Sequence, residues 1–172
     1  MDLPLAFYVA GLIIVLLLLY FFFGSFLHGA GYQPTPPDVA DRMLELGAVA
    51  PRERVYDLGA GTGALLFLSA EKGASVVGYE IEPIRYLVLR LRRWRHPQGR
   101  SVTLRRGNFF EADLRPATVV LTFLWPGAMS RLKEKFEREL VPGTRVVSYW
   151  HPIPGWTPQE VDRRLRVYLY IR

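Results

Sequence analysis

Between residues 54 and 71 the chain reads RVYDL, GAGTG and ALLFLSAE: a short apolar run, a glycine-dense turn and a second, longer apolar run. Glycines at alternate positions leave the main chain bare where a strand ends and a helix begins, so a ligand can approach backbone N–H groups there. The order also constrains the next segment, because a strand, tight turn and helix return to a second strand parallel to the first. SVVGYE at 75–80 reads as that strand. Residues 82–95 read as the next helix, with Ile84, Leu87, Val88, Leu91 and Trp94 as its apolar set.

The alternation continues. SVTLRRG holds a third strand and ATVVLTFLW a fourth, SRLKEKFEREL is a charged surface helix, TRVVSYW is a fifth strand and RVYLYIR a sixth. Ahead of them, Asp38 is suited to cap a helix running to about Leu46, with Val39, Met43, Leu44 and Leu46 apolar, before Gly47 and Pro51 stop it. The expected fold is α/β: a Rossmann-like, doubly wound, mostly parallel sheet of about six strands. Its ligand should lie at the carboxyl ends of the strands.

The N-terminus has a different character. No Asp, Glu, Lys or Arg lies between Asp2 and Asp38, and 3–27 is a nearly unbroken apolar run of 25 residues. As a helix it would rise about 37 Å, beyond the ~30 Å hydrocarbon core of a bilayer. The expectation is one N-terminal transmembrane helix, with an anchor at 1–28, a Pro/Gly strap at 29–37 and a globular domain at 38–172. A cleaved signal peptide would need a basic n-region that is missing, and a buried core helix would be shorter. Tyr8, Tyr20 and Tyr32 suit membrane interfaces. Arg42, Arg52 and Arg54 come after the run, so the positive-inside rule predicts a single-pass protein with its domain facing the cytoplasm. The strap is short enough to keep that domain near the bilayer.

Composition narrows the chemistry. There is no cysteine, which excludes disulfides and thiolate sites, and no metal site is expected. Lys and Arg number 22 against 16 Asp and Glu, a net charge of +6. The basic helix with Arg85, Arg90, Arg92, Arg93 and Arg95 reads as a solvated or lipid-facing surface before it reads as a nucleic-acid site, since no stacking platform is interleaved with it.

Two acids flank the glycine turn. Asp57 precedes it, and Glu80 ends the second strand 21 residues after Gly59, where a carboxylate can accept hydrogen bonds from ribose hydroxyls. The turn also parses as G-x-G-x-x-A with Ala64 last, the dinucleotide form, and that alternative stays open on spacing alone. Asp57 favours a donor with a cationic amino group, such as S-adenosylmethionine, since a pyrophosphate would be repelled there.

Taken together, YQPTPPDVADRML at 32–44, VYDLGAGTG at 55–63, VGYEIEP at 77–83, GNFFEADL at 107–114, and LKEKFERELVPGTRVVS followed by PIPGWTP resemble the short class I protein-lysine methyltransferases. That family includes archaeal broad-specificity enzymes and the mitochondrial ATP synthase c-subunit lysine methyltransferase. The resemblance implies S-adenosylmethionine as donor and S-adenosylhomocysteine as product. By position it implies a strap over the donor from Tyr32, Thr35 and Pro36. Asp57, Gly59, Ala60, Gly61 and Gly63 would meet the donor's amino-acid end, Glu80 with neighbouring Ile81 the ribose, and Asn108 and Phe109 the adenine. The family often carries Asp and Arg where this chain has Thr62 and Ala64, a departure that bears on donor affinity.

For the acceptor side, Trp125 and Pro126 follow the fourth strand, and Tyr149, Trp150, His151 and Trp156 follow the fifth. Aromatic faces there could sheath a lysine stem and stabilise a methylammonium, or could simply cover the open end of the sheet. The tetrapeptide Asn-Pro-Pro-Tyr of adenine- and glutamine-modifying enzymes is absent, with Leu124-Trp125-Pro126-Gly127 in its place, and 115–130 holds no carboxylate for a metal. The leading expectation is a membrane-anchored methyltransferase acting on lysines of a membrane-embedded or membrane-proximal protein, with the lipid bilayer as a second partner. A lipid or small-molecule methyltransferase, and a non-catalytic membrane-tethered nucleotide-binding module, are the alternatives.

Overall fold

The computed structural model describes residues 4–23 and 33–172, the side chains of 21–23 excepted. It divides into two compact units, Met1–Tyr32 and Gln33–Arg172.

In the first unit, α1 covers Leu5–Phe23, 19 residues without an acidic residue in the first turn or a basic one in the last. The expected transmembrane helix is not supported. Among the described residues no helix is long and apolar enough to cross a membrane. The single-pass placement with a cytoplasm-facing domain falls with it.

The second unit is built on one seven-stranded sheet in the order β3-β2-β1-β4-β5-β7-β6. Its strands are β1 (Arg54–Leu58), β2 (Ser75–Glu80), β3 (Val102–Arg106), β4 (Val119–Thr122), β5 (Arg145–Tyr149), β6 (Glu160–Asp162) and β7 (Val167–Ile171). β1 to β5 are mutually parallel, and β7 runs antiparallel between β5 and β6. The strand beyond the expected six is β6. Glu-Val-Asp is three residues at an edge with no buried position, too short and too polar to show a strand period. The order reverses between β1 and β4, which puts a crevice for a ligand at their carboxyl ends.

Helices α2 (Pro37–Leu46), α3 (Ala64–Glu71) and α4 (Pro83–Arg95) contribute Met43, Leu44, Leu66, Phe67 and Leu89 to one core, against Val55, Val76, Leu121 and Val147 of the sheet. Helix α5 (Pro126–Glu139) packs Met129, Leu132 and Phe136 into a second core with Leu58, Val120, Val146 and Tyr170. The alternation of these side chains along each parallel strand explains why both faces are covered.

Two local expectations change. Asp38 does not cap α2; Pro36 occupies the N-cap, no side chain caps it, and Asp38 sits in the first turn. The acid is still favourable there, near the positive end of the helix dipole. On α4 the buried positions are Arg85 and Leu89, whereas Leu87, Leu91 and Trp94 are exposed. The helix has apolar residues on more than one side, and two buried carboxylates, Glu80 and Glu82, turn the Arg85 side inward. The expected outcome in urea denaturation is that Leu89→Ala costs about 2–5 kcal/mol, as for other core truncations, while Leu91→Ala stays within roughly 0.5 kcal/mol. Equal losses would place both residues on the same face.

Candidate functional site

The glycine turn leaves β1 with Gly59, Gly61 and Gly63 all at positive φ (87°, 57° and 92°). Gly63 cannot be replaced without movement, since an added Cβ would come within 2.6 Å of Phe67 and 2.7 Å of Leu89. The Gly59 and Ala60 N–H groups both donate to the Tyr79 carbonyl (3.1 and 2.8 Å), which ties the turn to β2. Gly63 is the N-cap of α3, so the loop delivers the positive end of a helix into the crevice.

Glu80, at the carboxyl end of β2, is only 5% exposed. One of its oxygens accepts from Gly61 N–H at 2.9 Å and the other from Glu82 N–H at 2.8 Å. Each carboxylate oxygen keeps a second lone pair, so both can accept a further hydrogen bond from a vicinal diol. Asp57, on the neighbouring strand, is 3% exposed. Burial, reinforced by the Glu80 charge and partly opposed by a backbone hydrogen bond involving Leu66, pushes its carboxyl up to about 7. Glu80 is itself raised by burial, against the pull of Glu82 N–H, Arg85 and Gly61 N–H.

The remaining donor-side residues differ in how they are disposed. Tyr32 lies outside the described residues. Thr35 is half-buried and Pro36 exposed at the entry to α2. Ile81 follows Glu80 and is 36% exposed. The Asn108 side-chain oxygen accepts from Phe110 N–H at 3.1 Å, capping a short 3-10 turn over Phe109–Glu111. Phe109 stacks at an angle against Phe110, 4.6 Å between centroids, and Arg131 of α5 lies over the Phe110 ring.

On the acceptor side the five expected residues split. Trp125, 47% exposed as the N-cap of α5, stacks on His151 with a 6.3 Å centroid separation, and Pro126 opens the helix beside it. Trp150 directs this: its φ of 68° turns the chain sharply after β5, held by Trp150 N–H to the Arg166 carbonyl at 2.8 Å. Such a backbone costs on the order of 1–3 kcal/mol in a residue with a large side chain. Tyr149 is buried against Phe123, and Trp156 packs on Phe136 and Tyr170 while its indole N–H donates to Glu137 at 3.0 Å. These two serve the two cores and are not gathered with Trp125 and His151.

Several participants leave no mark in the sequence. The Gly61 N–H bond to Glu80 depends on the curl of the loop, and the burial of Arg85 depends on two carboxylates that match no helical period. Thr62, one of the departures from the family pattern, has its carbonyl bonded by Arg92 of α4. The companion contact of Arg92 over Phe67 becomes visible only once α3 and α4 are known to be neighbours.

Residues 57–160, from the buried acid before the glycine turn to the first residue of β6, match the ANTKMT methyltransferase domain. The chain belongs to that family. It is 40% identical to a protein-lysine N-methyltransferase of Saccharolobus islandicus, over 86% of this chain and 96% of that protein. It is 33% identical to the ATP synthase c-subunit lysine N-methyltransferase of Homo sapiens, over 64% of this chain and 47% of that one, so it spans about half the length of that relative. Among solved structures, an RNA methyltransferase of Salinibacter ruber in complex with S-adenosyl-L-homocysteine aligns with a TM-score of 0.78 and 37% identity, covering 81% of this chain and 93% of that one.

The chain is therefore an S-adenosylmethionine-dependent methyltransferase, and its residues fit that donor. Bare loop glycines admit the ligand, Glu80 can accept from a diol, and two buried acids suit a molecule carrying an ammonium and a sulfonium. A pyrophosphate would meet the same acids unfavourably, which removes the case for the dinucleotide parsing of the turn.

Asp57 makes the site sensitive to pH in a definite direction. Its folded value, about 7, lies above the ordinary 3.8. Its contribution to stability is therefore full below about pH 4 and is lost as the pH rises through about 7. Urea denaturation of the donor-free protein from pH 5 to 8 should show Asp57→Asn removing a downward slope present in the parent. Parallel curves for the two proteins would contradict a raised Asp57.

Proposed function

We propose that this methyltransferase acts on lysine side chains of a protein, with Asp57, Gly59 to Gly63, Glu80, Ile81, Asn108 and Phe109 holding the donor and Trp125, Pro126 and His151 lining the way in for the acceptor. Thr35 and Pro36 are proposed to close over the donor, and Tyr32 belongs to the same strap by position in the sequence. The observation that carries the reading is the stacked Trp125–His151 pair beside the carboxyl ends of β4 and β5. It supports an apolar, aromatic entrance suited to a neutral amine on a long alkyl stem.

S-adenosylmethionine supplies an electrophilic methyl group on a sulfonium, which an amine displaces in line. The protein's part is alignment and exclusion of water. A lysine with an ordinary pKa near 10.4 must shed its proton first, and an entrance without carboxylates favours the neutral form. Residues 115–130 contain none. Burial holds the His151 imidazole below its usual range, so it is uncharged at neutral pH and adds no second cation beside the donor. No general acid or base is required of any residue here.

For the acceptor protein we favour one in or near a membrane. The described side chains of α1 support this, since Leu5, Phe7, Ile13, Leu16 and Leu19 are all exposed and meet apolar surface more readily than water. A nucleic-acid acceptor is the competing reading, favoured by the basic face of α4 and by the name of the Salinibacter ruber structure.

Incubation of the full chain with methyl-labelled donor and a cell extract separates these readings. Label recovered in protein, and after hydrolysis in methylated lysine, is expected. Label found only in RNA or only in the organic phase would overturn the lysine reading. With a purified acceptor, Trp125→Ala should lower kcat/KM about tenfold, the scale of one aromatic-cation contact, while leaving donor affinity unchanged. A matching fall in donor affinity would move Trp125 to the donor's side of the site.

A further inference from the structure

Arg85 is the largest fully buried side chain among the described residues, at 2% exposure, and it lies beneath the proposed ribose contact. Its Nε stands 3.5 Å from Glu80 Oε1 and 3.9 Å from Glu82 Oε2. Glu82 is fully buried as the N-cap of α4, its two oxygens accepting from Ile84 N–H at 2.9 Å and Arg85 N–H at 2.7 Å. Glu82 N–H in turn donates to the same Glu80 oxygen that faces Arg85. The first turn of α4 thus presents one guanidinium and one amide to one side of the Glu80 carboxylate, and the glycine loop presents Gly61 N–H to the other.

We propose that Arg85 is a positioning residue for donor binding: it holds the Glu80 carboxylate charged and fixed in rotamer, so that its free lone pairs meet the ribose diol without rearrangement. The proposal rests on the reading of Glu80 as the ribose contact. An arginine whose only task was to fill space would cost more than an apolar residue of similar volume, because burying a guanidinium is favourable only when its partners repay the lost hydration. A second acid, Glu82, is served by two backbone N–H groups, those of Ile84 and Arg85, and so depends less on the Arg85 side chain. Of these two acids, the one that gains more from the Arg85 guanidinium is Glu80, which stands nearer to it.

The charged neighbours are few. Asp57 faces Glu80 from β1, Glu82 and Arg85 from α4, and Arg106 is its register partner on β3, exposed to solvent. Glu82 and Asp57 disfavour a charge on Glu80, and Arg85 opposes them across the shortest distance. Loss of Arg85 therefore raises the Glu80 carboxyl further, and the proton it takes up removes an acceptor from the ribose site. The effect is greatest on the acid side and fades as the pH rises. Asp57 titrates in the same range and the Glu80 charge helps to raise it, so each Arg85 variant is compared at one pH with the protein that carries the same residue at position 80.

The test is calorimetric titration of the full chain with S-adenosylhomocysteine at pH 6, 7 and 8, alongside urea denaturation of each variant. Arg85→Met should bind at least tenfold more weakly than the parent at pH 6, with the gap narrowing by pH 8. In a Glu80→Gln background, which cannot ionise, Arg85→Met should cause no further loss. Arg85→Lys keeps the charge on a compact head farther from Glu80 and should shift the profile in the same direction by a smaller factor, so it supplies the reading if Arg85→Met does not fold. Reduced stability with affinity within twofold of the parent at every pH, or an equal loss in the Glu80→Gln background, would overturn the proposal. Should Glu80→Gln bind as tightly as the parent, the ribose role of Glu80 fails first and takes the role of Arg85 with it; a weakened Glu80→Gln beside an unaffected Arg85→Met defeats the Arg85 role alone.

Discussion

The Glu80 carboxylate joins three pieces of chain at one point. Gly61 N–H reaches it from the loop after β1, Glu82 N–H from the start of α4, and the Arg85 side chain from one turn further on. A buried carboxylate is costly unless its oxygens are satisfied, so the sequence must supply these donors for the strand to end in a charge at all. Once they are supplied, the curl of the glycine loop, the entry of α4 and the direction of the carboxylate are fixed together. Gly63 caps α3 where the loop closes, and Leu89, buried on α4 together with Arg85, lies beside it.

The same cluster explains the choice of ligand. Asp57, Glu80 and Glu82 are all buried, and Arg85 is the cation set against them. Burial first, and the Glu80 charge second, push Asp57 up to about 7, and the pocket is left with an excess of acid. A donor with an ammonium and a sulfonium relieves it, and a pyrophosphate aggravates it. The charge of the pocket discriminates between two ligands that share a glycine turn and a ribose-binding acid, where motif spacing alone does not.

Much of this is legible in the residues alone, for physical reasons that differ by element. β1 and β2 have the bounds expected of them because parallel strands buried on both faces are short apolar runs between glycines. The loop and Glu80 are visible because a bare backbone and an acid at a strand end are residue types at a spacing. β6 is not visible, since three polar residues at an edge carry no period. The buried face of α4 differs from its apolar pattern because an arginine counts as solvent-facing until its two carboxylates are seen beneath it. Tyr149 and Trp156 group with Trp125 and His151 by their place after the fourth and fifth strands, yet Tyr149 packs into one core and Trp156 against the other, and the positive φ of Trp150 that turns the chain between Tyr149 and His151 leaves no trace in composition. At the N-terminus the apolar run is plain, but among the described residues no helix is long and apolar enough to cross a membrane.

The claim on which the rest depends is that a buried acidic cluster behind a glycine loop selects a cationic nucleoside donor. Calorimetric titration of the full chain at about pH 7.5, above the Asp57 value, with S-adenosylmethionine and, separately, with NAD measures this directly. One site saturated by S-adenosylmethionine, with no heat of binding from NAD, is the predicted result. Saturable binding of NAD with none of S-adenosylmethionine would contradict it.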